Sequence, residues 1–257
     1  VKHAFLDHHS SIESPIHHLD ARAKIVVFFT FILVGVSSPP SSFVIFGLLA
    51  FGLMSITLLA RLPLGHLIKK AVILLPFLFF VAASIPFMKK DEVEVGFHVG
   101  LGGLSVSRSG LWIFWNVMIK AFLGLFSIIL LYSTTSFPRL VRGMERLRVP
   151  KIFTVLFSFM YRYSFILVDE IQRMKRARDS RCFGGKWIWQ VRTIGHMIGM
   201  LFVRSFHRGE RVYLAMLSRG YEGTMPDPSF HSERLGKAEK IFLSLVPLLI
   251  LLRFALG

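Results

Sequence analysis

The sequence predicts an all-α fold, a polytopic integral membrane protein of about five transmembrane helices plus long amphipathic helices on the cytoplasmic side. Three observations carry this. Of 257 residues, 53% are hydrophobic and only 18% charged, and the mean hydropathy is +0.59. Phenylalanine alone takes 26 positions, more than a water-facing surface of this size accommodates. The 31 Lys and Arg, against 15 Asp and Glu, are gathered between long uncharged stretches and not scattered through them. Disorder and a collagenous fibre are excluded by the same composition. A disulfide scaffold and a thiolate metal centre are excluded because Cys182 is the only cysteine.

No residue from Ile25 to Ala60 is charged, and Ser37-Ser38-Pro39-Pro40-Ser41-Ser42 interrupts the stretch at its centre. A span needs about 20 apolar residues at 1.5 Å rise each, so this reads as a helical hairpin. Its first helix ends near Val36 or Ser37 and begins slightly before Lys24, whose stem can snorkel. Its second runs from about Phe43 to Ala60. Ala71 to Met88 is a third span, kinked at Pro76. Leu111 to Tyr132 is a fourth, broken only by Lys120, and Ile241 to Leu256 is a fifth, with Pro247 and a late Arg253. An ammonium within a span faces protein or water, or snorkels; the pattern leaves both open for Lys120.

Before Ile25, Asp7, Glu13, Asp20 and several histidines stand where a signal peptide would have its apolar centre, so the first span is expected to stay and set topology. Arg22 and Lys24 precede it, and Arg61, Lys69 and Lys70 follow the second. The stretch 139–240 holds 20 basic and 9 acidic residues, whereas 89–108 holds three of each. The positive-inside rule then puts the amino terminus in the cytoplasm and the carboxyl terminus outside. The expected organisation is a cytoplasmic segment (1–24), four spans (25–132), a cytoplasmic module (133–240) and a last span (241–257).

Within the module, Ser133-Thr134-Thr135-Ser136 can cap a short helix from Phe137 to Leu147 that stops at Arg148-Val149-Pro150. A long helix is expected from Lys151 to about Arg178. Its polar stripe is Arg162, Asp169, Arg173 and Arg176, with Asp169 and Arg173 able to pair at i, i+4, and much of the remainder is apolar. A second runs from Ile188 to about Ser218, with Arg192, His196, Arg204, Arg208 and Arg211 on one side. Gly195 and Gly199 form a small-xxx-small pair that would admit another helix. So much apolar surface must lie on the inner membrane face or form the core of a docking platform. Both helices close on arginine and turn residues: Ala177-Arg178-Asp179 followed by Ser180-Arg181 and Gly184-Gly185, and Ser218-Arg219-Gly220-Tyr221-Glu222-Gly223. A guanidinium near a helix carboxyl end is favoured by the dipole and offers a fork of donors to carboxylates or carbonyls. Helix caps and phospholipid anchors are the plainer reading of the same arginines.

These closes, with Ser14-Pro15-Ile16-His17-His18-Leu19-Asp20-Ala21-Arg22-Ala23-Lys24 ahead of the first span, resemble the transmembrane T component of energy-coupling factor transporters, in the CbiQ branch that serves cobalt or nickel uptake. The family carries two Ala-Arg-Gly-like tripeptides, matched by Ala177-Arg178-Asp179, where Asp replaces a small third residue, and by Ser218-Arg219-Gly220, where Ser replaces Ala. The resemblance covers essentially the whole chain. It implies a non-catalytic subunit of the bacterial or archaeal cytoplasmic membrane whose two tripeptides each enter a groove on one of two ABC-type ATPase subunits. ATP-driven motion then passes to a small membrane substrate-binding component, and no cofactor is required. The chain has no Gly-x-x-x-x-Gly-Lys-[Ser/Thr] loop, in keeping with energy drawn from a partner. Asp179 is open to bonding back to Arg176 or Arg181. The alternatives are a lipid-anchoring scaffold, a general T component serving vitamins, and an ion-conducting transporter using Lys120.

Other chemistry is set aside. His3, His8, His9, His17 and His18 suit cobalt or nickel by ligand type but precede every span, and in the resembled family a separate component captures the metal, so no metal site is assigned. His196 and His207 form no zinc motif, and Glu210 is expected to pair with an arginine. Leu101-Gly102-Gly103-Leu104 reads as a turn. The aromatics of the basic block follow its buried faces, which argues against nucleic acid, and Glu145, Asp169 and Glu170 make no acid–base couple with a histidine. The charge map predicts that an engineered Ser105→Cys reacts with an impermeant maleimide in whole cells while native Cys182 does not; labelling of Cys182 contradicts the five-span topology.

Overall fold

A computed structural model of the chain describes residues 16, 19–40, 42–60, 64–83, 96–97, 106–181, 187–223 and 236–256. The helices are α1 (Ala21–Ser37), α2 (Phe43–Leu59), α3 (Leu64–Ala83), α4 (Arg108–Thr134), α5 (Phe137–Arg146), α6 (Lys151–Asp179), α7 (Trp187–Leu217), α8 (Lys237–Leu243) and α9 (Leu245–Leu256). Two residues a side, Gly96–Phe97 (β1) and Val106–Ser107 (β2), pair antiparallel. His3, His8, His9, His17, His18, the Leu101-Gly102-Gly103-Leu104 turn, Cys182 and Gly184-Gly185 lie outside the described residues. The chain forms two compact units, one built on Glu145–Glu233 and the other on Ala4–Met144 with Arg234–Gly257.

The larger unit grows from the expected hairpin. Asp20 caps α1 by accepting the Arg22 amide at 3.1 Å, and the Ser37-to-Ser42 turn separates α1 from α2. Each helix has 17 residues, about 26 Å at 1.5 Å per residue and so close to the hydrocarbon thickness. Val27, Phe28, Phe31 and Val34 of α1 repeat at helical spacing, as do Ile45, Phe46, Leu49, Leu53 and Ile56 of α2; both rows are buried in one core with Leu123 and Leu130 of α4 and Leu249 of α9. The opposite faces are just as apolar and stand exposed, with Phe29 at 59% and Val36 at 63% on α1 and Phe51 at 72% on α2. A helix apolar all round in a small unit is one that meets lipid on its outer side. By length and composition, Gly110–Thr134 of α4 and all of α6 are long and apolar enough to cross a membrane.

Two lysines lock α1 to α4. Lys24 does not snorkel: it is buried, and its ammonium donates to the Thr134 carbonyl at the end of α4 at 3.0 Å. Lys120 answers from α4, donating to the carbonyls of Val36 and Ser38 at 3.0 and 2.6 Å, and Arg253 of α9 adds a 2.8 Å bond to the Ser37 carbonyl. Lys120 therefore faces protein. The last carbonyls of a helix have no intrahelical donor, carry the negative end of the dipole and are costly to leave bare away from water. Each helix thus closes the end of the other, which fixes the pair as antiparallel.

The remaining differences from expectation have local causes. α3 begins at Leu64, before Ala71, so Lys69 and Lys70 lie inside it, and Lys70 sits 5.5 Å over the Tyr132 ring. The last apolar stretch is two helices, α8 and α9, meeting at Ser244: Pro247 has no N–H for the Leu243 carbonyl. The short helix α5 lies on α1 so closely that a Cβ on Gly143 would come within 2.9 Å of Ala21 Cβ. Glu239 ties the two ends of the chain, accepting from the Asp20 amide at 3.0 Å and the Gly236 amide at 2.7 Å. Replacing Lys120 by Met removes a charge-assisted donor from two carbonyls, and we expect a loss of about 2 kcal/mol in detergent-solubilised protein, read as a lowered melting temperature. Unchanged melting would mean that Lys120 merely snorkels.

Candidate functional site

The unit built on Glu145–Glu233 consists of α6 and α7. Pro150 ends the preceding segment with no amide to donate and starts α6 at Lys151. Before it, Arg148 takes a left-handed φ of 65°, which turns the chain out of α5. The two long helices cross where Glu170 of α6 accepts from Arg204 of α7 and from Arg173, the latter at 3.1 Å. The Arg204 hydrogen bond, reinforced by Arg173 and Arg208, holds the Glu170 carboxyl below the usual carboxylate range. Asp169 is the acid that sequence spacing singles out. Arg173 meets Glu170 at i, i+3, and the 34-residue separation of Glu170 from Arg204 has no local signal. On one side of the crossing the helices diverge around an open groove of about 470 Å³, lined by Leu156, Met160 and Tyr163 of α6, Val212 and Met216 of α7, and Tyr221.

Beyond the crossing each helix runs on to its arginine-bearing close, as the sequence predicts. At 1.5 Å per residue, Arg178 lies about 12 Å past Glu170 and Arg219 about 22 Å past Arg204. The α7 close is a Schellman motif. Gly220 adopts a φ of 78°; its amide donates to the Leu217 carbonyl at 3.0 Å and the Tyr221 amide to that of Met216 at 3.0 Å. Met216 and Tyr221, the apolar pair that accompanies this motif, both line the groove. An L side chain at Gly220 has open space but suffers the left-handed penalty of about 1–2 kcal/mol, which gives the glycine of Ser218-Arg219-Gly220 a structural reason. Arg219 is exposed, and among the described residues no carboxylate is paired with it.

The α6 close is built differently. Arg178 turns back on its neighbour: its Nε and Nη2 donate to one oxygen of Asp179 at 2.9 and 2.8 Å. Asp179 thus meets Arg178 itself, not Arg176 or Arg181. The Arg178 side chain is 19% exposed and that of Asp179 50%, so the carboxylate is the more accessible of the two. Ala177 contributes its carbonyl, which accepts the Ser180 hydroxyl at 3.1 Å.

One further expectation is corrected. Glu210 lies 3.3 Å from His207 Nδ1, one turn back on its own helix, and among the described residues no arginine is paired with it. At Gly195 and Gly199 the face is open within the chain: among the described residues nothing lies within 4 Å of a Cβ at either. The outer face of α7 there is exposed and apolar, with Ile198 at 62% and Phe202 at 70%. Among the described residues no three His, Cys, Asp or Glu are grouped as metal ligands.

Apolar helices exposed on their outer faces, together with a basic two-helix unit whose helices both close on arginine, make an all-helical architecture consistent with a membrane protein. Residues 12–230 match the family profile of the cobalt transport protein CbiQ, and the chain belongs to that family. It is 26% identical over 236 residues to the putative fused cobalt transport protein CbiMQ of Methanocorpusculum labreanum, covering 88% of this chain but only 39% of that longer protein. It is also similar to energy-coupling factor transporter transmembrane proteins EcfT. That of Staphylococcus aureus is 25% identical over 256 residues, covering 94% of this chain and 92% of the relative. That of Thermanaerovibrio acidaminovorans is 30% identical over 230 residues, covering 82% and 80%.

Proposed function

We propose that this chain is the T component of an energy-coupling factor importer, multi-pass in the cytoplasmic membrane with its amino terminus inside, and that the ends of α6 and α7 pass ATPase motion to a separate membrane component that binds the substrate. The catalytic work lies in two partner ATPase subunits. Cobalt is the cargo favoured by the family and by the fused cobalt-transport relative, and the EcfT relatives keep a general energy-coupling factor T component, for which the resemblance implies vitamins, as the alternative. The resemblance assigns the ATPase contacts to Ala177, Arg178 and Asp179 and to Ser218, Arg219 and Gly220.

The observation that carries the reading is the α7 tip. Gly220 stops the helix sharply, Tyr221 and Met216 anchor the stop in the groove, and Arg219 stands exposed with no carboxylate paired to it among the described residues. Lipid attraction is worth about 1 kcal/mol per basic residue and is nearly indifferent to which one is lost. A guanidinium seated in a protein groove leaves fixed acceptors unpaired on truncation, at about 2–5 kcal/mol. Arg219→Ala is therefore expected to lower ATPase co-purification and ATP-dependent uptake of radiolabelled cobalt by more than about tenfold, with normal membrane insertion. Arg219→Lys retains charge without the fork and restores only part of both. Arg192→Ala, which removes an exposed charge from the body of α7, is the control and should act weakly. Equal effects of Arg192→Ala and Arg219→Ala would return Arg219 to lipid anchoring.

A further inference from the structure

The groove between α6 and α7 shares a wall with a second, charged pocket. On α7 the groove of about 470 Å³ is walled by Ser205, Gly209, Val212 and Met216, a row at helical spacing whose first two members are small. A Cβ on Gly209 would meet nothing within 4 Å, so space remains open beside the crossing although Glu170 and Arg204 hold the helices together there. On α6 the wall is apolar, and Leu156 and Met160 carry it onto the exposed face that also bears Ile152 and Phe153. The pocket, of about 340 Å³, sets Arg204, Arg208 and Arg211 against one carboxylate, that of Glu170. Ile166, Leu167, Ser205 and Arg208 border both spaces.

That carboxylate is already engaged, because Glu170 accepts from Arg204 and from Arg173. Arg208 feels Glu170 through space only, and among the described residues neither it nor Arg211 has a hydrogen-bond acceptor. A half-buried guanidinium with an unfilled fork thus stands where a chiefly carbon-lined groove meets a pocket of excess positive charge. The groove falls within the roughly 300–1,000 Å³ typical of sites for small molecules. The charge calls for an anion, and the continuity of the groove with an exposed apolar helix face calls for one that arrives from lipid. We propose that the groove seats one anionic phospholipid, with an acyl chain between α6 and α7 and the phosphate held by Arg208 and Arg211. Such a lipid differs from the general attraction of basic residues to a charged surface, because it singles out Arg208 among the arginines of α7. It fills the divergence of the two helices and so fixes their angle. The proposal is independent of the ATPase contacts assigned to the helix tips.

The test places the full chain in phosphatidylcholine vesicles carrying a trace of phosphatidylglycerol with a diazirine on its acyl chain, or of phosphatidylcholine with the same labelled chain, and maps the adducts by mass spectrometry. Phosphatidylglycerol is expected to label Leu156, Met160 and Val212 about tenfold more than phosphatidylcholine does, the worth of one charge-assisted pair. Arg208→Gln should bring its labelling down to the phosphatidylcholine level, Arg208→Lys should keep part of it, and Arg192→Ala should leave it unchanged. Equal labelling of the groove by the two headgroups in the unaltered chain overturns the proposal, as does a loss in Arg192→Ala that matches that in Arg208→Gln. In membranes carrying the whole transporter, a photo-crosslinking amino acid at Val212 should give lipid adducts. Adducts from that position to a protein subunit alone would show that a partner helix occupies the groove and would overturn the proposal while leaving the ATPase reading in place.

Discussion

The mutual closure of α1 and α4 is the constraint on which the membrane unit depends. A helix end in hydrocarbon has four carbonyls without donors and no water to supply them. Here Lys24 of α1 reaches the end of α4, and Lys120 of α4, with Arg253 of α9, reaches the end of α1. These contacts use cations where a soluble protein would use glycine or water, and they set direction and register together. A shift of α4 along α1 by one turn, about 5.4 Å, would break both lysine contacts at once. The apolar rows on α1 and α2 then have a fixed partner surface on α4, which is how one core forms from helices that are greasy on every side.

The same question, how a helix ends, organises the second unit with different chemistry. Among the described residues no distant cation closes α6 or α7. Each is stopped locally by a serine hydroxyl on the carbonyl three residues back, and α7 adds the left-handed Gly220. Beyond these closes no carboxylate among the described residues is paired with Arg181 or Arg219, whereas the larger unit spends its cations on its own carbonyls. Glu170, bonded by Arg204 and Arg173 at the crossing, ties the helices together well short of their tips. Arg178 lies beyond this tie on α6, and the α7 close is held by Met216 and Tyr221 in the groove that both helices line.

Much of this was legible in the sequence because it is written in local signals. The uncharged run broken by two prolines shows α1 and α2, and Pro150 and the Ser-Arg-Gly close mark the limits of α6 and α7 within a residue or two. The pairings were not legible. Lys120 could have snorkelled, since nothing within its own helix shows that Val36 and Ser38 wait 84 and 82 residues away. Spacing offers Asp169 to Arg173 at i, i+4, but the crossing through Glu170 depends on Arg204, a residue in the next helix. The Gly195 and Gly199 spacing was a true pattern without a neighbour among the described residues. At the α6 end the family tripeptide drew attention to Arg178, while the side-chain bond to Asp179 that occupies it becomes visible only in three dimensions.

The central claim is that the α7 tip meets an ATPase and not lipid, and contact captured in place tests it most directly. A photo-crosslinking amino acid at Glu222, an exposed position three residues past Arg219, is compared with one at Ile198 on the outer face of α7, in membranes carrying the whole transporter. The account predicts an adduct between this chain and an ATPase subunit from position 222, lost on Arg219→Ala, with none to the ATPase from position 198. Adducts to lipid alone from position 222, in membranes where the ATPase is present and active, would contradict it.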